Sequence, residues 1–363
     1  MTEPQVSYRS RVRGCLLGGA IGDALGGPVE FRSTAQILAE HPDGVRTFVD
    51  GAAGWPPGTI TDDTQMTMFT VEGLIRAGVR RDRGIGFTLG VVHHAYDRWL
   101  DTQLLAGPPE QPDGWLAALP WLYARRAPGM TCLGALTDGR GRYGVAAVND
   151  SKGCGGVMRV APVGLLPGVD VAWAFDAACE IAGYTHGHPT GQVAAGALAV
   201  LVRRLVEGAE LPAALDTVDE LLAGRPDTAE TVAALALARR FAALDDPGPG
   251  TVEILGGGWI AEEALAIAVY AALCHPGPEA MLDALALAVT HSGDSDSTGA
   301  ICGNILGALH GETALPPALV LAVEGRGALL ELADDLVQEF TAPQLVHSED
   351  GPTQGWERRY PPN

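Results

Sequence analysis

The stretch TDDTQMTMFTVEGLIRA, residues 61–77, decides how this chain is read. Met66, Phe69 and Leu74, with Met68, Val71 and Ile75 beside them, predict a broad buried face on a helix opening at Thr61 and running to about Ala77. Asp62 and Asp63 then fall in the first turn, where unpaired backbone N–H groups and partial positive charge favour an acidic side chain. One carboxylate would be ordinary capping; this helix has two. The arrangement returns at Asp294-Ser295-Asp296-Ser297-Thr298, ahead of a small-residue helix from Gly299 to His310. Four carboxylates with hydroxyls beside them exceed what capping requires, and once gathered they repel unless cations neutralise them. Such oxygen donors suit Mg²⁺, Mn²⁺ or Ca²⁺, so a two-metal hydrolytic centre is expected.

A centre shared by residues 62 and 294 requires the two ends of the chain to pack together. Residues 1–363 are therefore expected to form one domain, although the length alone would allow two. Ala, Leu, Val and Gly dominate, aromatics make up 6%, and no strand–helix–strand alternation is evident. The expected class is all-α, with close-packed helices and small interfacial residues. The net charge of −20 argues against unassisted binding of nucleic acid or of an acidic membrane. A small anionic ligand stays possible, because metals and helix N-termini supply local positive potential. Six scattered cysteines without a C-x-x-C pair read as free thiols of a reducing compartment. With no apolar signal core and no uncharged apolar run of spanning length, the expected location is cytoplasmic.

Working outward, Arg11–Leu25 is apolar on nearly all faces. Its Gly18, Gly19 and Gly22 predict close helix contacts rather than a nucleotide loop, since no strand precedes them. Asp23 and Glu30 fall at and just past its expected end. A helix is predicted over Val91–Leu100, with Tyr96 and Trp99 as core or rim aromatics and Asp97 in a structural role. Residues 101–170 read as loop-rich, and Asn149–Gly156 is dense in glycines that let backbone amides approach a ligand. His186 and His188 lack zinc-type partners and read as a ligand contact or a helix cap, ahead of a helix over Thr190–Leu205. An amphipathic helical pair over 205–250 is followed by helices Ile260–Leu273 and Ala280–Val289. The chain after residue 311, and above all after Phe340, is expected to wrap the surface.

Five segments in this order resemble the ADP-ribosylglycohydrolases: Gly18–Gly26 (Gly-x-x-x-Gly-Asp-Ala-Leu-Gly), Thr61–Gln65, Lys152–Arg159 (Lys-Gly-Cys-Gly-Gly-Val-Met-Arg), Thr185–Pro189 and Gly293–Ser297. That family includes the dinitrogenase reductase-activating glycohydrolase and the vertebrate hydrolases that remove ADP-ribose from arginine or serine. The likeness spans roughly residues 10 to 311, weakest between 205 and 250. It implies an orthogonal helical bundle with two Mg²⁺ (or Mn²⁺) ions in a central cleft. By the resemblance, Thr61, Asp62, Asp63, Asp294, Asp296 and Ser297 hold metal, and Glu30 sits on a loop near the scissile bond. Ser151, Gly153, Gly155 and Gly156 would cradle a diphosphate, Met158 would line the pocket, and His186 would contact phosphate or the distal ribose. Cys154 departs from relatives that carry asparagine at that place in the loop.

The resemblance implies Mg²⁺-dependent hydrolysis of the C1″ bond of ADP-ribose conjugates, with oxocarbenium-like charge building on the ribose. Glu30, Asp62 or Asp63 would then accept the water's proton or assist the leaving group. A metal-dependent phosphohydrolase and a non-enzymatic ADP-ribose-binding module are the alternatives. An isoprenoid synthase is disfavoured because Asp62-Asp63-Thr64-Gln65-Met66 lacks the third aspartate of D-D-x-x-D. The expected partner is ADP-ribose or an ADP-ribosylated protein or small molecule.

Overall fold

The computed structural model describes residues 6–51, 54–244, 246–348 and 351–362. Among these the elements are helical apart from a two-stranded hairpin near the C-terminus, so the protein is all-α. The N-terminal helices are α1 (Tyr8–Gly26), α2 (Thr34–Glu40), α3 (Asp62–Asp82), α4 (Gly90–Leu104), α5 (Met130–Gly139) and α6 (Ala161–Gly164). The middle of the chain forms α7 (Val171–Gly183), α8 (Pro189–Val206), α9 (Leu211–Ala223), α10 (Ala229–Ala242) and α11 (Pro249–Leu255). The last are α12 (Ala261–Cys274), α13 (Met281–Val289), α14 (Ser295–His310), α15 (Pro317–Ala322), α16 (Arg326–Thr341) and α17 (Gln354–Arg359).

The central contact is between α1 and α14, which run antiparallel. Gly14, Gly18, Gly22 and Gly26 of α1 face Gly307, Gly303, Gly299 and Ser295 of α14. A methyl group at any of these four α1 glycines would overlap backbone atoms of α14, so the two helices approach to direct backbone contact. A small residue at every fourth position keeps one i±4 ridge bare on each helix, and that permits the approach. The expected close glycine contacts are therefore real, and their partner is the helix that opens with the second acidic cluster.

This pairing sets the C-terminal end of α1 beside the N-terminus of α14. Asp23, fully buried within the last turn of α1, joins α3 to the same place. Its carboxylate accepts from the Thr61 N–H at 3.0 Å, from the Thr64 N–H at 3.2 Å and from the Thr64 hydroxyl. A carboxylate donated by another helix thus caps α3, and three helix ends meet.

The segment after residue 311 does more than wrap the surface. Leu329, Leu332, Ala333 and Leu336 of α16 are buried where it packs on α1 and α3. Asp334 of α16 holds Arg9 and Arg13 of α1 in ion pairs at 2.6 and 2.5 Å. Buried Glu339 accepts from the Trp356 indole at 2.8 Å and lies 3.0 Å from the His347 ring. Only the hairpin β1 (His347–Ser348) and β2 (Gly351–Pro352), with α17, answers to the expected wrap. The i, i+3, i+4, i+7 spacing of Leu329, Leu332, Ala333 and Leu336 is the helical signal that the sequence of this segment carries. In the loop-rich expectation for 101–170, α5 is the α-helix that went unanticipated, while the short α6 follows Val157–Val160, where the sequence allows a helix to begin. All six cysteines are free. No helix among the described residues is long and apolar enough to cross a membrane.

Candidate active site

Where the three helix ends meet, a cavity of about 320 Å³ opens. Asp62 and Asp63 stand in the first turn of α3, Asp294 at the N-cap of α14 and Asp296 in its first turn. Glu30 follows the short 3₁₀ turn Gly27–Val29 at the end of α1. All five carboxylates line the cavity, and the described residues of its wall include no lysine or arginine. One carboxylate oxygen each of Glu30, Asp294 and Asp296 lies within 4.8 Å of the others.

Hydrogen bonds fix these side chains. Asp62 accepts from the Gly129 N–H at 3.2 Å, which pins the approach to α5 against α3. Asp63 accepts from the Ser297 hydroxyl at 2.9 Å, a direct bond between the two acidic clusters. The hydroxyl of Thr61, at the N-cap of α3, lies 3.3 Å from Asp63 Oδ2 and accepts from the Asp63 N–H at 3.3 Å. Asp294 is held by its own N–H, which donates to Gly257 at 2.8 Å, and it accepts from the Cys154 thiol at 2.8 Å.

Burial and mutual repulsion raise every carboxyl in the group. Burial, then Asp296, push Glu30 up to about 10 and Asp23 to about 7. The same causes hold Asp62, Asp63 and Asp294 well above the usual carboxylate range, and burial raises Asp296. Five carboxylates and the Thr61 and Ser297 hydroxyls, with no lysine or arginine among the described wall residues, form a donor set of the kind that hard divalent ions take.

The glycine segment borders the acidic wall, its Cys154 bonding directly to Asp294. It is stitched to the approach of α12 by the Cys154 N–H donating to Trp259 at 3.1 Å and the Ala261 N–H donating to Lys152 at 2.9 Å. Gly153, Gly155, Met158 and His186 line the same cavity. Ser151 instead lines a second cavity of about 430 Å³, which shares Met130 and Thr131 with the first. Gly156 lines neither: it is buried, and a side chain there would press on Ala182 and His186. Thr61 also stands behind the cavity wall rather than on it. His188 is a helix cap, its Nδ1 accepting from the Thr190 N–H at 3.1 Å. Asp97 accepts from the Gly141 N–H at 3.3 Å, away from the acidic cavity.

At the rim, Phe31 and Trp259 stack with ring centroids 5.1 Å apart, and both rings reach solvent. Phe31 adopts φ of 65°, the left-handed region that only glycine enters freely. Neither aromatic carries periodicity or a motif, so reading the chain alone passed over them. The resemblance contains Asp23 but gave no hint that it caps α3.

These features coincide with a family assignment. The ADP-ribosylglycohydrolase profile matches residues 4–345. The chain belongs to the ADP-ribosylglycohydrolase family. An uncharacterised protein of Archaeoglobus fulgidus is similar to this family member at 28% identity over 90% of this chain and 96% of its own. The uncharacterised Escherichia coli K12 protein YegU matches at 25% identity over 85% and 90%. The ADP-ribosyl-[dinitrogen reductase] glycohydrolase of Rhodospirillum rubrum is 40% identical over 81 residues, covering 22% of this chain and 26% of that one. A solved ADP-ribosylglycohydrolase-related protein complex superimposes with a TM-score of 0.69 at 24% identity, over 92% of this chain and 99% of its own. That structure has the fold of this family member.

Proposed function

We propose that this protein hydrolyses the bond between C1″ of ADP-ribose and a nitrogen or oxygen of an acceptor, releasing ADP-ribose from a modified side chain or small molecule. One observation carries the reading: five carboxylates from three distant segments share a cavity with a glycine segment, and the described residues of its wall include no lysine or arginine. Asp62, Asp63, Asp294, Asp296 and Ser297, with Thr61 close behind, would hold two Mg²⁺ or Mn²⁺ ions. Such ions supply charge against the carboxylates and a diphosphate, orient ribose hydroxyls and lower the pKa of water.

The chain's own groups divide the remaining work. Glycines at 153 and 155 keep the backbone bare where a diphosphate must come close. Met158 gives an apolar wall, and its sulfur lies 3.8 Å from the Ser297 hydroxyl, which ties that wall to the acidic side. Glu30, on a short turn at the mouth, is the carboxyl best placed to exchange a proton with a leaving acceptor, with Asp62 and Asp63 behind it. The adjoining cavity, where His93 and Tyr184 stack 4.6 Å apart, lengthens the trough to suit an adenosine beyond the diphosphate.

The test is a panel of defined conjugates, with ADP-ribose on arginine, serine, nucleobase and acetyl ester, incubated with protein and Mg²⁺ and read by mass spectrometry. Released ADP-ribose, abolished by a chelator, is the expected result. AMP or phosphate liberated from ADP-ribose would identify a phosphohydrolase. Binding with no release from any conjugate would identify a binding module. Either of those outcomes overturns the proposal.

A further inference from the structure

Arg159 carries a buried charge with no carboxylate to answer it. Its side chain is fully buried, and among the described residues no acidic oxygen forms an ion pair with it. The guanidinium donates to the sulfurs of Cys132 at 3.4 Å and Met66 at 3.5 Å, to the Ile181 carbonyl at 3.3 Å and to the Thr185 hydroxyl at 2.6 Å. The Tyr96 ring covers it at 4.3 Å, and Nε has no partner. An unpaired buried guanidinium is costly. Packing alone does not account for it.

The contact with Thr185 leads to the cavity. Thr185 Oγ1 lies 2.8 Å from Nδ1 of His186. A guanidinium can only donate, so Thr185 accepts from Arg159 and keeps one proton to give. Its remaining neighbours are Nδ1 at 2.8 Å, the Ala182 carbonyl at 3.5 Å and the Cys132 sulfur, and the imidazole nitrogen, a strong acceptor at short range, takes the proton. Nδ1 is then the accepting nitrogen, and the ring proton sits on Nε2. Burial and Arg159 push His186 down to about 3, so the ring stays neutral. Nε2 faces the glycine segment, where a side chain at Gly153 or Gly155 would come within 3.3 Å of it. Lys152, the cation of that segment, is tied to Glu230 at 2.6 Å and to Glu262 at 2.5 Å.

We propose that Arg159 and Thr185 are positioning residues that hold His186 as an Nε2–H donor aimed at an anionic group over the Gly153–Gly156 loop. The identity of that anion, a diphosphate, rests on the ADP-ribose reading; the tautomer does not. Without the relay a neutral histidine divides between two tautomers and presents a lone pair to the anion for part of the time. With it, the loop gains a fixed neutral donor beside an acidic wall that would capture a mobile cation.

The test is nitrogen NMR of ¹⁵N-histidine-labelled protein, assigned with His186→Gln, together with ADP-ribose titration in Mg²⁺. The expected wild-type spectrum has a pyridine-type Nδ1 and a pyrrole-type Nε2 at His186. Thr185→Val should mix the tautomers and raise the ADP-ribose Kd on the order of tenfold, the effect of losing one hydrogen bond to a charged group. Thr185→Ser should restore both. A pyrrole-type Nδ1 in the wild type, or a folded Thr185→Val protein with unchanged tautomer and affinity, would overturn the relay. The wild-type spectrum decides the matter even if the valine variant does not fold. A wild type with the expected tautomer and no affinity for ADP-ribose would leave the relay standing and remove the ligand reading.

Discussion

Replacing Gly22 by alanine tests the contact that builds the site. Two effects oppose one another. Glycine-to-alanine inside a helix ordinarily stabilises by about 1 kcal/mol. Here the new Cβ would overlap the Gly299 carbonyl and stand 3.0 Å from the Ala300 nitrogen. Those atoms are backbone and cannot rotate away, so α1 and α14 must separate. Overpacking of that kind costs about 3 kcal/mol, the upper end of its range, because no flexible side chain yields. The net expectation is a loss of about 2 kcal/mol, read as a lower urea midpoint with unchanged slope. Separation also moves Asp23 on α1, and Glu30 just beyond its end, away from Asp294 and Asp296 at the start of α14, so Mn²⁺ binding by calorimetry should weaken in the folded variant. Gly327→Ala is the control: it lies in α16 with nothing within 4 Å of its added Cβ, and it should be neutral or slightly stabilising. A Gly22→Ala midpoint at or above the wild-type value would refute the close-contact reasoning.

Two other perturbations have definite signs. Asp296→Asn should abolish turnover and Mn²⁺ binding, yet in chelator it should raise stability by about 1–2 kcal/mol, because it relieves repulsion within the carboxylate group; a lower urea midpoint in chelator would contradict that. Asp334 is pulled from 3.8 to about 2, burial being outweighed by its hydrogen bonds and ion pairs with Arg9 and Arg13. Its contribution is therefore complete above about pH 4 and disappears as pH falls through about 2. That drop corresponds to roughly 2 kcal/mol, which solvent screening of a partly exposed group reduces to about 1 kcal/mol. Asp334→Asn should lower the urea midpoint at pH 6 and leave it unchanged near pH 2; an equal loss at both values would mean the ion pairs contribute nothing.

Much of this molecule was written in local patterns. The first-turn positions of Asp62, Asp63 and Asp296, the buried faces of α3, α8, α12 and α13, and the cap at His188 follow from spacing and from the needs of a helix end, which act over a few residues. The expectation of cations came from charge alone, since oxygen donors crowd at two helix starts. Contacts between residues far apart in the chain left no such trace. Reading the chain showed that the glycines of α1 invite close approach, but not that α14 supplies the bare ridge opposite them. Asp23 looked like the end of a helix until the fold put the first turn of α3 against it. Arg159 gave no sign that its charge would be buried without a carboxylate, or that Thr185 would join it to His186. Backbone periodicity is settled residue by residue, whereas electrostatics and hydrogen-bond direction depend on which distant groups end up within a few ångströms, and only packing decides that.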